Sequence, residues 1–373
     1  MNNLKRVGIF LVIATLTVIL SVSYRGNDIL KRAIILGVGV DVAEEGLCVT
    51  AEIVSPGNGG EQVGTFSKIV SATGKTVAEA LQNIAEKTGK ETSLGQCVLL
   101  VYGEEFAAQG FDSTAEYFAL SDSFKESATV CCCKGTAKEL FNCGDALLQS
   151  VSLSIADKLK GQSKDIAVPS CDLLTFARSQ RELYKTGFLN YVYYEPSQNE
   201  SSENPDQKQV FFRCNRVAVF KENKMIGVLS EQETQGFAIL QNDVAGSVFS
   251  VTDEKNNFVT LRTNSKSVDV SEENGEVKLD VKLFVKLART DSFGASGQFS
   301  AKSEKEISED SLKQAKVQAV ELAKLFLKKQ VEWEFDLLEI HEIFRQKQGT
   351  TQQVENLQMK DLSYSLTLTV QEK

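Results

Sequence analysis

The chain has 373 residues, enough for two or three domains of ordinary size. Its 42% hydrophobic and 24% charged content lies in the globular range, so most of it should bury a core. A formal net charge of -9, with no Lys/Arg cluster after residue 35, argues against a nucleic-acid binder, which must neutralise phosphates with a concentrated basic surface.

Lys5 and Arg6 precede an apolar run from Val7 to Tyr24. As a helix this run spans roughly 27 Å, the thickness of a bilayer core. Positive charge in front keeps that end in the cytoplasm and sends the rest across. Residues 1–24 thus read as an uncleaved transmembrane anchor, or as a cleaved signal segment, since Ser21 and Ser23 offer small residues at cleavage positions. A buried core helix is the remaining alternative. The first two readings place Arg25 to Lys373 outside the cytoplasm.

Residues 25–193 read as one α/β domain. "AIILGVGVD" (Ala33 to Asp41) predicts a buried strand, and Gly46 to Pro56 its antiparallel partner. Thr65 to Gly74 is a third strand. The helix that follows has Thr76 as N-cap, Glu79 three residues later and Gly89 after the last turn. "QCVLLVYG" is a central strand, "EEFAAQGFDSTAEYFALS" is helical with a break near Gly110, and "ESATVCCCKG" is another strand. Strand alternation gives Cys131 and Cys133 one face and Cys132 the other. With eight cysteines in an exported chain, buried thiols, one or two disulfides, or a metal site are the choices; no CxxC or Cys/His zinc spacing occurs. "TAKELF" and a longer stretch from Asp145 to Leu159 are helical.

Residues 194–209 are polar, hold two of the four prolines and lack apolar periodicity, as a linker does. Residues 210–373 then form a second domain. Its first two strands, Val210 to Phe220 and Lys224 to Leu229, flank the turn Lys221-Glu222-Asn223. "EVKLDVKLFVKLA" alternates, with Val277, Leu279, Val281, Leu283, Val285 and Leu287 on a packed face and Lys278, Asp280, Lys282 and Lys286 on a wet one. "LSYSLTLTV" repeats the pattern at the end of the chain. Between them Ser308 caps a long helix with the stripe Leu312, Ala315, Ala319, Leu322 and Phe326. The expected fold class is mixed α+β, multi-domain, with largely antiparallel sheets flanked by helices.

Catalytic signals are weak. "GVGVD" lacks the third glycine and the following helix of a dinucleotide loop. His341, the only histidine, reads as a helix-surface residue, and one imidazole cannot make a multi-histidine metal site. The pairs Glu104–Glu105 and Glu231/Glu233 are what 50 acidic residues produce on solvated faces. No catalytic, cofactor-binding or metal residue is assigned.

The order of segments resembles the Ger(x)C family, the C subunit of spore germinant receptors. The matching positions are Gly37, Gly39 and Asp41; Gly103, Glu104, Glu105, Ala107 and Gly110; and Val219, Phe220, Lys221, Gly227, Leu229, Glu233, Thr234 and Gly236. Asp336 and Phe344 in "EFDLLEIHEIFRQK", with the closing strand, extend the resemblance over residues 25 to 373. It implies a non-catalytic extracytoplasmic subunit on the outer face of the inner spore membrane, acting with membrane A and B subunits in nutrient-triggered germination. Gly227, Glu233, Thr234 and Gly236 form a candidate partner-docking segment, on a hairpin expected to join the C-terminal sheet edge to edge. Members usually carry a lipid-bearing cysteine just after the apolar run; here "VILSVSYRG" has none before Cys48, so lipidation is not expected and the Val7–Tyr24 helix must tether. The alternative is a membrane-tethered solute- or peptidoglycan-binding protein unrelated to spores; an exported hydrolase fits least.

Overall fold

The computed structural model describes residues 13–17, 32–55, 66–121, 123–125, 127–145, 150–161, 168–169, 171–182, 184–196, 209–241, 247–252, 257–273, 276–293, 299–302, 307–348 and 358–372. Residues 13–17 are helical; the rest of the expected anchor, and positions 197–208 of the polar segment, lie outside the described residues. Among the described residues no helix is long and apolar enough to cross a membrane.

The first sheet contains β1 (Arg32–Val42), β2 (Leu47–Ser55), β3 (Phe66–Gly74), β4 (Glu91–Ser93), β5 (Leu99–Gly103), β6 (Thr129–Cys133), β7 (Gly144–Asp145), β8 (Thr186–Pro196), β9 (Gln209–Lys221) and β10 (Lys224–Val228). The main order is β10-β9-β8-β6-β5-β1-β2-β3, with β4 on β1 and β7 on β9. At its centre β1, β5, β6 and β8 run parallel, whereas both flanks are antiparallel. The apolar runs of β5 and β6 are buried on both faces, as central parallel strands require.

Helices cover both sides of this sheet. α1 (Val77–Thr88), α2 (Glu104–Gln109) and α3 (Asp112–Ala119) lie on one side, with Tyr102 and Cys132 in the core beneath them. On the other side α4 (Ala137–Asn142) and α5 (Val151–Gly161) cover Cys131 and Cys133, so the alternation read from the sequence holds. α6 (Leu173–Ser179) joins the first side through Phe176. All eight cysteines are free thiols. Burial pushes the Cys97 and Cys214 thiols up to about 12, which keeps them protonated and unreactive.

The local signals of α1 are realised: the Thr76 hydroxyl accepts from the Glu79 N–H at 3.2 Å, and Gly89 ends the helix at φ 66°. α5 begins at Val151, later than the expected Asp145, because residues 144–145 pair with β9.

Buried carboxylates from strands hold two helix starts on the sheet. Asp41 accepts from the N–H groups of Ala137 at 2.7 Å and Lys138 at 2.9 Å, at the beginning of α4. Glu52 accepts from the N–H groups of Val151 at 3.1 Å and Ser152 at 2.7 Å, and from the Ser152 hydroxyl, at the beginning of α5. Each carboxylate satisfies donors that have no partner within their own helix. Glycine permits the approach: a Cβ at Gly37 would lie 2.0 Å from Ser152 Oγ, and one at Gly39 2.7 Å from the Ala137 Cβ.

The second sheet contains β11 (Val248–Thr252), β12 (Asn257–Glu273), β13 (Glu276–Phe293), β14 (Phe299–Lys302) and β15 (Ser363–Glu372). The order is β11-β12-β13-β14, and β15 pairs with β13 in parallel. α7 (Glu231–Leu240), α8 (Glu309–Glu332) and α9 (Ile340–Gln348) pack with it. Ser308 caps α8 as expected, and Ala315, Ala319 and Phe326 lie in a core with Val277 to Val285 of β13.

Two sequence expectations change. β8 runs through Pro196 and pairs with β9 along most of its length, so the described ends of the polar segment belong to neighbouring strands. The hairpin β9–β10 adds to the edge of the first sheet, not to the C-terminal sheet. β8 carries a doubly buried run, "LNYV", which offers β9 an open edge; periodicity could not flag that run because both of its faces are covered.

Burial raises the Asp41 carboxyl above its ordinary 3.8, and the Ala137 and Lys138 N–H groups oppose that rise. A raised folded value means that the native state holds this proton more tightly than the unfolded chain. The contribution is therefore full below 3.8 and is lost as pH rises through the folded value. Asp41→Asn should flatten that part of the pH–stability curve and, by facing an amide donor toward one N–H, cost about 1–3 kcal/mol at neutral pH. Urea unfolding across the acid range measures both effects.

Candidate functional site

The segment from Val219 to Phe237 folds as the end of β9, a two-residue turn, β10 and α7. Glu222 and Asn223 have φ of 51° and 60°, the pair of positive values that a type I′ hairpin turn requires. The ladder shifts register between Met225 and Gly227, a bulge at the glycine. A Cβ at Gly227 would lie 2.5 Å from the Trp333 ring, so the indole of the segment after α8 sits directly on the hairpin backbone.

α7 opens with a reciprocal capping box. The Ser230 hydroxyl accepts from the Glu233 N–H at 3.2 Å, while Glu233 Oε2 accepts from the Ser230 N–H at 2.8 Å. The other Glu233 oxygen is 3.7 Å from Lys329 Nζ, and that ammonium lies over the Trp333 ring. Thr234 is fully buried, and its hydroxyl has no hydrogen-bond partner among the described residues. A Cβ at Gly236 would lie 2.1 Å from the Leu322 carbonyl oxygen, so α7 crosses α8 backbone to backbone. The structure thus brings Gly227, Glu233, Thr234 and Gly236 together around the end of α8. Gly227, Glu233 and Gly236 meet Trp333 and α8, and Thr234 is buried beside them; the solvent side of the segment is formed by Glu222, Lys224, Ile226, Glu231, Gln232 and Gln235.

The remaining motif positions are also structural. Gly103 leaves room for Asp41, since a Cβ there would meet Asp41 Oδ1 at 2.1 Å. Glu104 accepts from the Tyr191 hydroxyl at 2.8 Å and from the Gly135 N–H at 3.1 Å, tying the start of α2 to β8 and the turn after β6. Asp336 accepts from the N–H groups of Ile340 at 3.0 Å and His341 at 2.9 Å, and pairs with His341 Nδ1 at 2.8 Å. His341 is not on a helix surface: it is 3% exposed and stacks on Tyr184 at 3.9 Å between centroids. No local pattern in the sequence announces the role of Trp333, a ring whose partner is a glycine more than 100 residues earlier.

A cavity of about 290 Å³ lies between the two halves. Thr175 and Ser179 of α6, Thr186 and Phe188 of β8, Gln241, and Leu337 with Glu339 line it. Its volume is near the lower end for small-molecule sites. Two points of attachment flank this seam: the Asp336 N–H donates to the Thr186 hydroxyl at 3.3 Å, and Lys221 Nζ donates to the Glu334 carbonyl at 2.9 Å.

Two family descriptions match the chain. "Spore germination protein N-terminal domain" covers residues 25–193, and "Spore germination B3/ GerAC like, C-terminal" covers residues 215–370. The chain belongs to the GerAC-like family of spore germination proteins. It is accordingly a subunit of a spore germinant receptor, the function implied by the resemblance. Among solved structures, one described as the crystal structure of the GerBC protein is similar, at 14% identity, covering 90% of this chain and 96% of that chain with a TM-score of 0.48. No curated protein matches the chain.

The α7–α8 crossing gives a sharp mutational expectation. Gly236→Ala places a methyl group against backbone that cannot rotate away, and should cost about 2–4 kcal/mol by displacing α7. Ser230→Ala loses one cap bond and should cost about 1 kcal/mol. Thermal unfolding of the two variants should rank them in that order.

Proposed function

We propose that this receptor subunit is a non-catalytic, extracytoplasmic coupling module, tethered at the outer face of the inner membrane by its N-terminal apolar run. The observation that carries this reading is the match of both halves to spore germination families, over residues 25–193 and 215–370. Its partners in the proposal are the membrane A and B subunits of the receptor, and its task is to link them during nutrient-triggered germination.

The chemistry of the site supports this reading. The motif carboxylates Asp41, Glu104 and Asp336 are occupied in holding backbone N–H groups and neighbouring side chains. The hairpin–helix segment is the candidate docking element. Its inner residues set its shape, and the side facing solvent carries Ile226, 39% exposed, beside polar Gln232 and Gln235. That mixture suits a reversible subunit contact better than a buried obligate one.

Coexpression with the membrane subunits of the same receptor should yield a complex retained on an affinity tag placed on this chain. Replacing Ile226 with Glu together with Gln232 and Gln235 with Ala should reduce co-purification roughly tenfold without changing thermal stability, as expected for losing an interface anchor. Recovery of the native chain alone, or undiminished capture by the triple variant, would count against the receptor role or the docking element respectively.

A further inference from the structure

We propose that the cavity between the two halves binds a small hydroxylated organic amine, an amino alcohol or an amino sugar. The cavity holds about 290 Å³ and is walled from both sides of the seam. Thr175, Glu182 and Phe188 come from the first half, Leu337 and Glu339 from the second. Many of its polar groups are already engaged. The Ser179 hydroxyl donates to the Phe176 carbonyl at 2.8 Å, and the Thr186 hydroxyl accepts from the Asp336 N–H at 3.3 Å. Asp336 itself holds the N–H groups of Ile340 and His341.

What remains is an excess of acceptors. The Glu339 carboxylate has no hydrogen-bond or ion-pair partner among the described residues. Glu182 lies 3.5 Å from Arg178, whose side chain is 82% exposed, so that pair compensates little of its charge. Asn190 follows Phe188 on the same face of β8, and its Nδ2 donates at 2.8 Å to the carbonyl of Pro169, a wall of the cavity. The Asn190 Oδ1 is buried and has no partner among the described residues. Glu339 cannot simply turn away. By holding the next two N–H groups, Asp336 fixes the turn in which Glu339 has a φ of 55°, a left-handed conformation uncommon for residues with a side chain. Partial burial and the charges of Glu182, Asp336 and Glu342 raise its carboxyl above the ordinary 4.5, with Arg178 opposing. A cation placed there relieves that repulsion.

The class of ligand follows from these groups. An ammonium brings positive charge and donors to Glu339 and Glu182 without needing an acceptor in return. Hydroxyls suit Thr175 and Gln241, whose side chains can both donate and accept. Phe188, Leu337 and Pro169 give the carbon frame an apolar wall. A ligand bearing a carboxylate would meet like charge at the same place. A metal ion fits less well, because among the described residues no group of three or more His, Cys, Asp or Glu side chains is arranged to hold one. Contact with both halves also means that an occupant would close the seam, a step beyond the coupling role and independent of it.

The experiment is calorimetric titration of the full chain in nonionic detergent. Glucosamine, glucose and glucuronate present one sugar ring with positive, zero and negative charge, and ethanolamine is the smaller amine. Glucosamine or ethanolamine should bind saturably, glucose roughly tenfold more weakly or worse, and glucuronate not at all. Glu339→Gln should weaken the amine roughly tenfold, and Glu182→Gln by a smaller factor. Neither substitution removes a bond to the backbone, so thermal unfolding of the unliganded chain should hold steady. Thr175→Phe, at an exposed wall position, should obstruct entry and abolish binding, whereas Glu321→Gln on α8, away from the cavity, should change nothing. Failure of both amines to bind, glucose binding as tightly as glucosamine, or full affinity in both glutamine variants would overturn the proposal. Capture by the membrane subunits plays no part in this readout, so the cavity and the coupling role stand or fall separately.

Discussion

A buried carboxylate accepting the first N–H groups of a helix from elsewhere in the chain is the interaction on which this architecture depends. Asp41 does this for α4, Glu52 for α5 and, at closer range, Asp336 for α9. A helix start presents donors that its own backbone cannot satisfy, and a carboxylate inside the protein needs several of them to remain there. Each group therefore solves the other's problem. The result is a fixed position and direction for every helix so held, which dispersive packing alone does not impose.

Close approach is the companion constraint. Gly37, Gly39 and Gly103 leave room where helices and the Asp41 carboxylate press on β1 and β5, and Gly227 and Gly236 do the same for Trp333 and α8. Four of these five glycines sit where a Cβ would meet another residue's side chain; at Gly236 it would meet backbone, which is the harder contact to relieve. The motifs that mark the family are in this light packing and capping devices.

For a receptor subunit this organisation has a mechanical consequence. The hairpin β9–β10 is part of the first sheet, whereas Lys329 and Leu322, which seat α7, belong to the helix that covers the second, and Trp333, which seats the hairpin, directly follows it. The two halves are joined through that segment and through Thr186, Lys221 and the 334–336 backbone. A force or ligand acting on one half reaches the other through these polar contacts and through a shared apolar core in which Val217, Val219 and Phe188 of the first sheet pack with Phe237 and Phe326, not through a continuous sheet.

Much of this was legible in the sequence, for local reasons. Thr76, Ser308 and Gly89 determine helix ends within four residues of themselves, and period-two alternation alone assigns the inner and outer faces of β13 and β15. The same local rule sorts Cys132 from its two neighbours. Tertiary structure alone decided that β9 and β10 join the first sheet, that β15 runs parallel to β13, that His341 is buried on Tyr184, and that the four residues of the candidate docking segment turn inward. Each of these outcomes depends on which distant backbone or ring fills the space beside a residue, and a pattern of neighbours along the chain carries no record of that.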